Sequence, residues 1–336
     1  MVAIEGIRTK DYCNVLAILK EMDPVGYASN FDDAVIIETP LSWKYELWKD
    51  TQRLPSQVIQ LLDLWLETYH ITGHYGHRPL VIAPDPEYSV EGFRRVMFYQ
   101  KPEGAFSQYI KTEYLAPEAV YGDLVYALYE KRDQLPEFEQ YRVPEADNIR
   151  DLLVCTHGTV DAACGKFGFR VFQKMRAQPY AQTVRVWRVN HFGGHVFAPT
   201  ILDMPSGHYW AFVEPEQGDQ IAQKNQPVSQ LNAYYRGWSG VDDGFLQAAE
   251  RAVWQTLGWD WFDYLKSGEI LRQDTSEKPQ WAEVAIHYQT PDGQVRGVYS
   301  AHVEVSGYID NPSGSFNSKT YAYAQYHVSS LKHSLP

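Results

Sequence analysis

The feature that most constrains the fold is the order in which the apolar period changes across residues 151–257. Residues 151–154 (DLLV) form a short apolar run leading into Cys155, and residues 166–177 carry apolar side chains at helical spacing. Residues 184–189 alternate as a strand, and a loop follows through His195. Residues 201–204 and 209–213 then read as strands around a turn at Ser206-Gly207, and residues 243–257 return to helical spacing. The predicted order is strand, helix, strand, then two strands and a helix.

That order is the thioredoxin-like arrangement. The N-terminal part can be read in the same order, although no residue repeat is visible. Residues 33–39 are a strand, 56–68 a helix, 79–84, 95–100 and 105–114 strands, and 117–131 a helix with proline near its first turn. A polar, proline-containing stretch at 133–149 separates the two parts. From Trp281 onward, alternating segments around a Pro291-Asp292-Gly293 turn predict an antiparallel meander. A chain of 336 residues also exceeds the usual single core. The expected fold class is therefore α/β: an N-terminal mixed α/β domain over 1–147, which can also be read as thioredoxin-like, a thioredoxin-like domain over 148–260, and a C-terminal antiparallel β extension over 261–336.

A formal net charge of −12 gives a field that repels nucleic-acid phosphate, so nucleic acid is not an expected partner. The opening residues lack a basic segment followed by an apolar run, and nowhere do about eighteen apolar residues succeed one another, so a cytoplasmic protein with no membrane partner is expected. The three cysteines, Cys13, Cys155 and Cys164, are too few and odd in number for a disulfide scaffold, which makes any special cysteine a ligand or a redox thiol. No G-x-x-x-x-G-K-[ST], G-x-G-x-x-G or G-x-S-x-G occurs, so the simplest signals of a nucleotide triphosphatase, a dinucleotide oxidoreductase and a serine hydrolase are missing.

Chemistry concentrates in two segments that each follow a strand, Val154 to Gly165 (VCTHGTVDAACG) and Asn190 to Ala198 (NHFGGHVFA). Two thiols and two imidazoles suit tetrahedral zinc or a mixed Cys/His iron–sulfur centre, and ligand type alone does not decide between them. The eight residues between Cys155 and Cys164 are long for a zinc knuckle, and Gly193 and Gly194 suit a crowded site. A redox dithiol normally uses Cys-x-x-Cys, which this spacing does not provide.

With CTHGTVDAACGKFG and HFGGHVFA in view, the chain resembles the sucrase/ferredoxin-like family, of the actin-patch-distribution-protein type and closest in pattern to its bacterial branch. Asp23-Pro24-Val25-Gly26, Tyr235-Arg236-Gly237 and Gln247-Ala248-Ala249-Glu250 are similar as well. The resemblance implies that residues 148–260 are a thioredoxin-like ferredoxin domain whose [2Fe–2S] cluster is held by Cys155, Cys164, His191 and His195. It implies an electron carrier or the iron–sulfur component of a redox pathway rather than a stand-alone enzyme, working with a redox partner protein. Replacing two anionic thiolates by neutral imidazoles raises the expected potential towards the Rieske range, with a fall at higher pH as imidazole loses its proton. The alternatives are structural zinc on the same four ligands and a sensor of oxidants or labile iron. No carboxylate pair has the spacing of a glycosidase site, so the "sucrase" half of the family label finds no counterpart.

His157 and Asp161 lie inside the cysteine loop and are read as caps of the next turn, or as a second layer around the ligands. Arg185 and Arg188 are expected on an exposed strand face, where they solvate it or dock an acidic donor. His70, His74 and His77 have a metal-like spacing at a helix exit, and Tyr235 to Trp238 is expected to pack against the ligand domain. Cys13 reads as a small apolar residue.

Overall fold

The computed structural model describes residues 11–72 and 76–335. The first half runs α1 (Cys13–Leu19), β1 (Asp33–Glu38), α2 (Ser56–Thr72), β2 (His77–Ile82), β3 (Phe93–Gln100), β4 (Ile110–Pro117) and α3 (Tyr121–Glu130). The second runs β5 (Arg150–Cys155), α4 (Phe169–Arg176), β6 (Val184–Val189), β7 (Ile201–Met204), β8 (His208–Trp210), α5 (Pro215–Gln223), β9 (Tyr235–Trp238) and α6 (Gly244–Leu257). A meander follows of β10 (Leu265–Gln273), β11 (Trp281–Gln289), β12 (Arg296–Pro312) and β13 (Thr320–Ser334).

Strands β1 to β9 form one sheet in the order β4-β3-β1-β2-β6-β5-β7-β8-β9, and the meander is a separate four-stranded antiparallel sheet. β1 pairs parallel with β2 and antiparallel with β3; β5 pairs parallel with β6 and antiparallel with β7. Strands β5 to β8 thus repeat the pairing of β1 to β4, with β9 added at the far edge, and the two halves meet edge to edge where Ile82 of β2 faces Val189 of β6. The duplication is one of backbone order, which is why no residue repeat announces it.

Both faces of β1 are buried, so its four central residues, Ala34 to Ile37, are all apolar rather than alternating. Ala34 and Ile36 enter the core shared with the second half, while Val35 and Ile37 enter a second core with residues of α2 and α3 such as Leu61 and Leu124. Each such buried Val or Ile contributes about 1.5–3 kcal/mol relative to an exposed one.

An ion network lies inside this packing. Asp151 on β5 accepts from Tyr99 Oη (2.7 Å), Lys111 Nζ (2.6 Å), Arg185 Nε (2.8 Å) and Trp187 Nε1 (2.8 Å). Glu113 on β4 accepts from Arg185 Nη2 (2.6 Å), pairs with Lys111 Nζ (2.9 Å) and is also bonded by Arg95. Burial alone would raise both carboxyls, but Lys111 and Arg185 overcome it and hold both below their ordinary range, Asp151 most strongly. Arg185, expected on an exposed face, is 6% exposed and committed to these carboxylates, so it is not a docking residue.

The meander packs against α6, and the end of its longest hairpin returns to the first helix, where Asn311 Nδ2 donates to the Cys13 carbonyl (2.9 Å) and Phe316 N to Asp11 O (2.8 Å). Among the described residues no helix is long and apolar enough to cross a membrane.

Candidate metal centre

Cys155 is the last residue of β5, and Cys164 opens a π-helical turn, Cys164–Gly168, that leads into α4. Gly168 allows this turn to touch the strand, because a Cβ there would stand 2.0 Å from the Cys155 carbonyl oxygen. The loop after β6 is fixed at its start by Asn190, whose Oδ1 accepts from Val81 N (2.9 Å). It then turns through Gly193 and Gly194, both in the left-handed region at φ +94° and +76°. Two parallel strand ends therefore deliver the cysteine loop and the histidine turn to one spot.

Both cysteines are buried. His191 Nδ1 stands 4.0 Å from Cys155 Sγ and 3.9 Å from Cys164 Sγ. These three donors lie within 4.8 Å of one another, whereas His195 falls in a second group with Cys13 and Asp161. The two groups adjoin, since the His191 and His195 rings are 5.2 Å apart. His195 Nε2 is 2.6 Å from the Ser313 carbonyl in the loop between β12 and β13. A carbonyl only accepts, so Nε2 donates to it, and the tautomer this selects places the ring's lone pair on Nδ1. That Nδ1 is buried with no hydrogen-bond partner.

The two thiols are electrostatically unequal. At Cys155, burial would raise the pKa, but hydrogen bonds from Cys164 and His191 hold it well below the ordinary thiol value. Cys164, sharing its proton with Cys155 and equally buried, is pushed well above it.

Around the four residues the polar groups are ordered. His157 Nδ1 accepts from His191 N (3.3 Å), and its Nε2 donates to the Lys44 carbonyl (3.1 Å). Asp161 caps the next turn through Ala163 N (2.8 Å) and ties it to Ser315 N (2.8 Å) and Oγ (2.7 Å). Burial pushes the Cys13 thiol, which lies 3.9 Å from Asp161, up to about 12. Arg236 of β9 donates from Nη1 to the Gly193 carbonyl (3.1 Å), and a Cβ on Gly194 would meet its guanidinium at 2.5 Å. Burial lowers Arg236 to about 10, which leaves it charged at neutral pH. The sequence marks Arg236 only as part of a segment expected to pack here, and Ser313 carries no signal at all, because a backbone carbonyl 118 residues away has no residue type to betray it. Of the three histidines near the α2 exit, His77 is bonded to Asp33 (2.8 Å) and stacked on Trp65, and His74 lies outside the described residues.

The family model for sucrase/ferredoxin-like proteins matches residues 24–237, more than half of the chain and all four of these positions. The chain belongs to the sucrase/ferredoxin-like family. In this family member the matched span covers β1 to β8 and most of β9, leaving α6 and the meander beyond it. A solved thioredoxin-like [2Fe–2S] ferredoxin from Aquifex aeolicus is similar over 25% of this chain and 89% of its own length, at 22% identity and a TM-score of 0.21. A comparison with curated proteins finds no match.

Proposed function

We propose that Cys155, Cys164, His191 and His195 hold a [2Fe–2S] cluster and that this family member is an electron carrier serving redox partner proteins, rather than a stand-alone enzyme. The observation that carries the reading is the buried thiol pair with His191 Nδ1 at 4.0 and 3.9 Å, beside a second imidazole whose Nδ1 is buried and unpartnered. An orphaned buried acceptor is costly, and a ligated metal relieves that cost. When bound, such a cluster takes up and releases one electron at a time.

The protein's own groups fit the task. The Ser313 carbonyl fixes the tautomer and orientation of His195, as the outer contact of a metal-bound histidine does. His157 holds the His191 backbone, and the surrounding core excludes bulk water from both sulfurs. Two sulfurs and two nitrogens give fewer negative ligands than four cysteines, which favours a potential above the roughly −400 mV of plant-type clusters.

Zinc is the second reading, and one observation favours it: Cys155, Cys164 and His191 stand within 4.8 Å of one another, a span that a single ion can bridge. Anaerobic purification with iron, zinc and acid-labile sulfide analysis separates the two. The cluster reading expects brown protein with about two irons and two sulfides per chain. A colourless protein with one zinc and no sulfide contradicts it.

A further inference from the structure

Arg236 is 3% exposed, and no carboxylate among the described residues lies within ion-pair distance of it. Its guanidinium sits 5.2 Å from the Phe197 ring and 5.3 Å from the Tyr209 ring, its Nη1 holds the Gly193 carbonyl, and its Nε is buried without a partner. Arg185, also buried, has two carboxylates against it. A buried charge normally has a counter-charge, and without one the cost of removing it from water is uncompensated. The guanidinium lies against the turn between His191 and His195, through the Gly193 carbonyl and the close approach at Gly194.

We propose that Arg236 is the buried counter-charge of the cysteine–histidine site and raises the reduction potential of the cluster bound there. The proposal rests on the cluster reading above. Two ferric irons, two sulfides, two thiolates and two neutral imidazoles sum to zero, and one electron from a reductant such as dithionite gives a single negative charge. A fixed cation beside the site stabilises that negative form more than the neutral one. Arg236 is a positioning residue as well, since it pins the turn between the two histidines. The two roles separate by charge, because lysine keeps the charge and loses the planar fork, whereas glutamine keeps polar bulk and loses the charge.

The test is an EPR-monitored redox titration of the full chain, as wild type, R236Q and R236K, with iron and sulfide counted in each. In R236Q at wild-type iron content, the ratio of oxidised to reduced protein at a given applied potential should rise at least tenfold, a midpoint 59 mV lower for a one-electron couple. R236K should stay within threefold of wild type. A change below threefold in R236Q, or an equal fall in both variants, overturns the proposal. If R236Q retains no cluster, R236K decides alone: within threefold of wild type supports the counter-charge, and a larger fall overturns it. Wild-type protein without iron would instead overturn the cluster reading on which the proposal stands.

Discussion

At the residue scale, a cysteine and a histidine of the candidate ligand set each have a separate test. Hydrogen bonds from Cys164 and His191 hold the Cys155 thiol well below its ordinary value, so Cys155→Ser removes the more acidic of the two candidate thiol ligands. Iron retention after desalting should fall by roughly 10–100-fold or more, since even loss of an outer contact costs that much. His191→Cys should keep a cluster and move its midpoint towards the roughly −400 mV of all-cysteine plant-type centres. Retention and potential equal to wild type in both variants would remove these residues from the ligand set. The four candidate ligands are legible because cysteine and histidine bracketed by glycine are informative residue types in any context. Arg236 and the Ser313 carbonyl are not legible, because arginine in a Tyr-Arg-Gly-Trp strand and a backbone oxygen acquire meaning only from what folds against them.

At the element scale, two glycines mark where backbone packing defines the centre. A Cβ at Gly168 meets the Cys155 carbonyl, which cannot swing away without moving β5, and one at Gly194 meets a buried guanidinium while forcing a side chain into the left-handed region. Gly168→Ala should cost about 1–3 kcal/mol in urea unfolding, within the range for overpacked sites, and Gly194→Ala a similar amount from backbone strain and contact together. Values near zero for both would mean that neither close approach matters. Elements that bury one or both faces were readable from apolar pattern: β6 and β7 occur at 184–189 and 201–204 as expected, and α6 begins one residue later, at Gly244. Helix α1 has seven residues, too few for a helical period to emerge, and β9 sets Arg and Gly between two aromatic residues with no apolar run; long-range partners hold both in place. Helix α5 carries proline at its first position, a signal available in the sequence but set in a polar stretch that reads as loop.

At the scale of the whole molecule, the buried network of Lys111, Glu113, Asp151 and Arg185 joins the strands of both halves. Asp151→Asn leaves Lys111 and Arg185 short of counter-charge and should destabilise the fold by about 3–5 kcal/mol, measured by urea unfolding at neutral pH. Both carboxyls have folded pKa values depressed below their unfolded ones, so their contribution is fully present above roughly pH 4 and is lost as pH falls further. Wild-type stability should therefore decline with acid more steeply than that of Asp151→Asn, and parallel curves would refute the linkage. Neither half reveals this network in the sequence, since Arg185 and Asp151 look like ordinary strand charges until β3 and β4 of the first half pack over them.

The central claim is that two sulfurs and two ring nitrogens from separate loops converge on one pair of irons. Pulsed EPR of the reduced protein grown with nitrogen-15 histidine tests it directly. The account predicts a half-spin signal with two strongly coupled histidine nitrogens, one lost in His191→Ala or His191→Cys and the other in His195→Ala. An EPR-silent protein, or a signal without histidine nitrogen coupling, would contradict it.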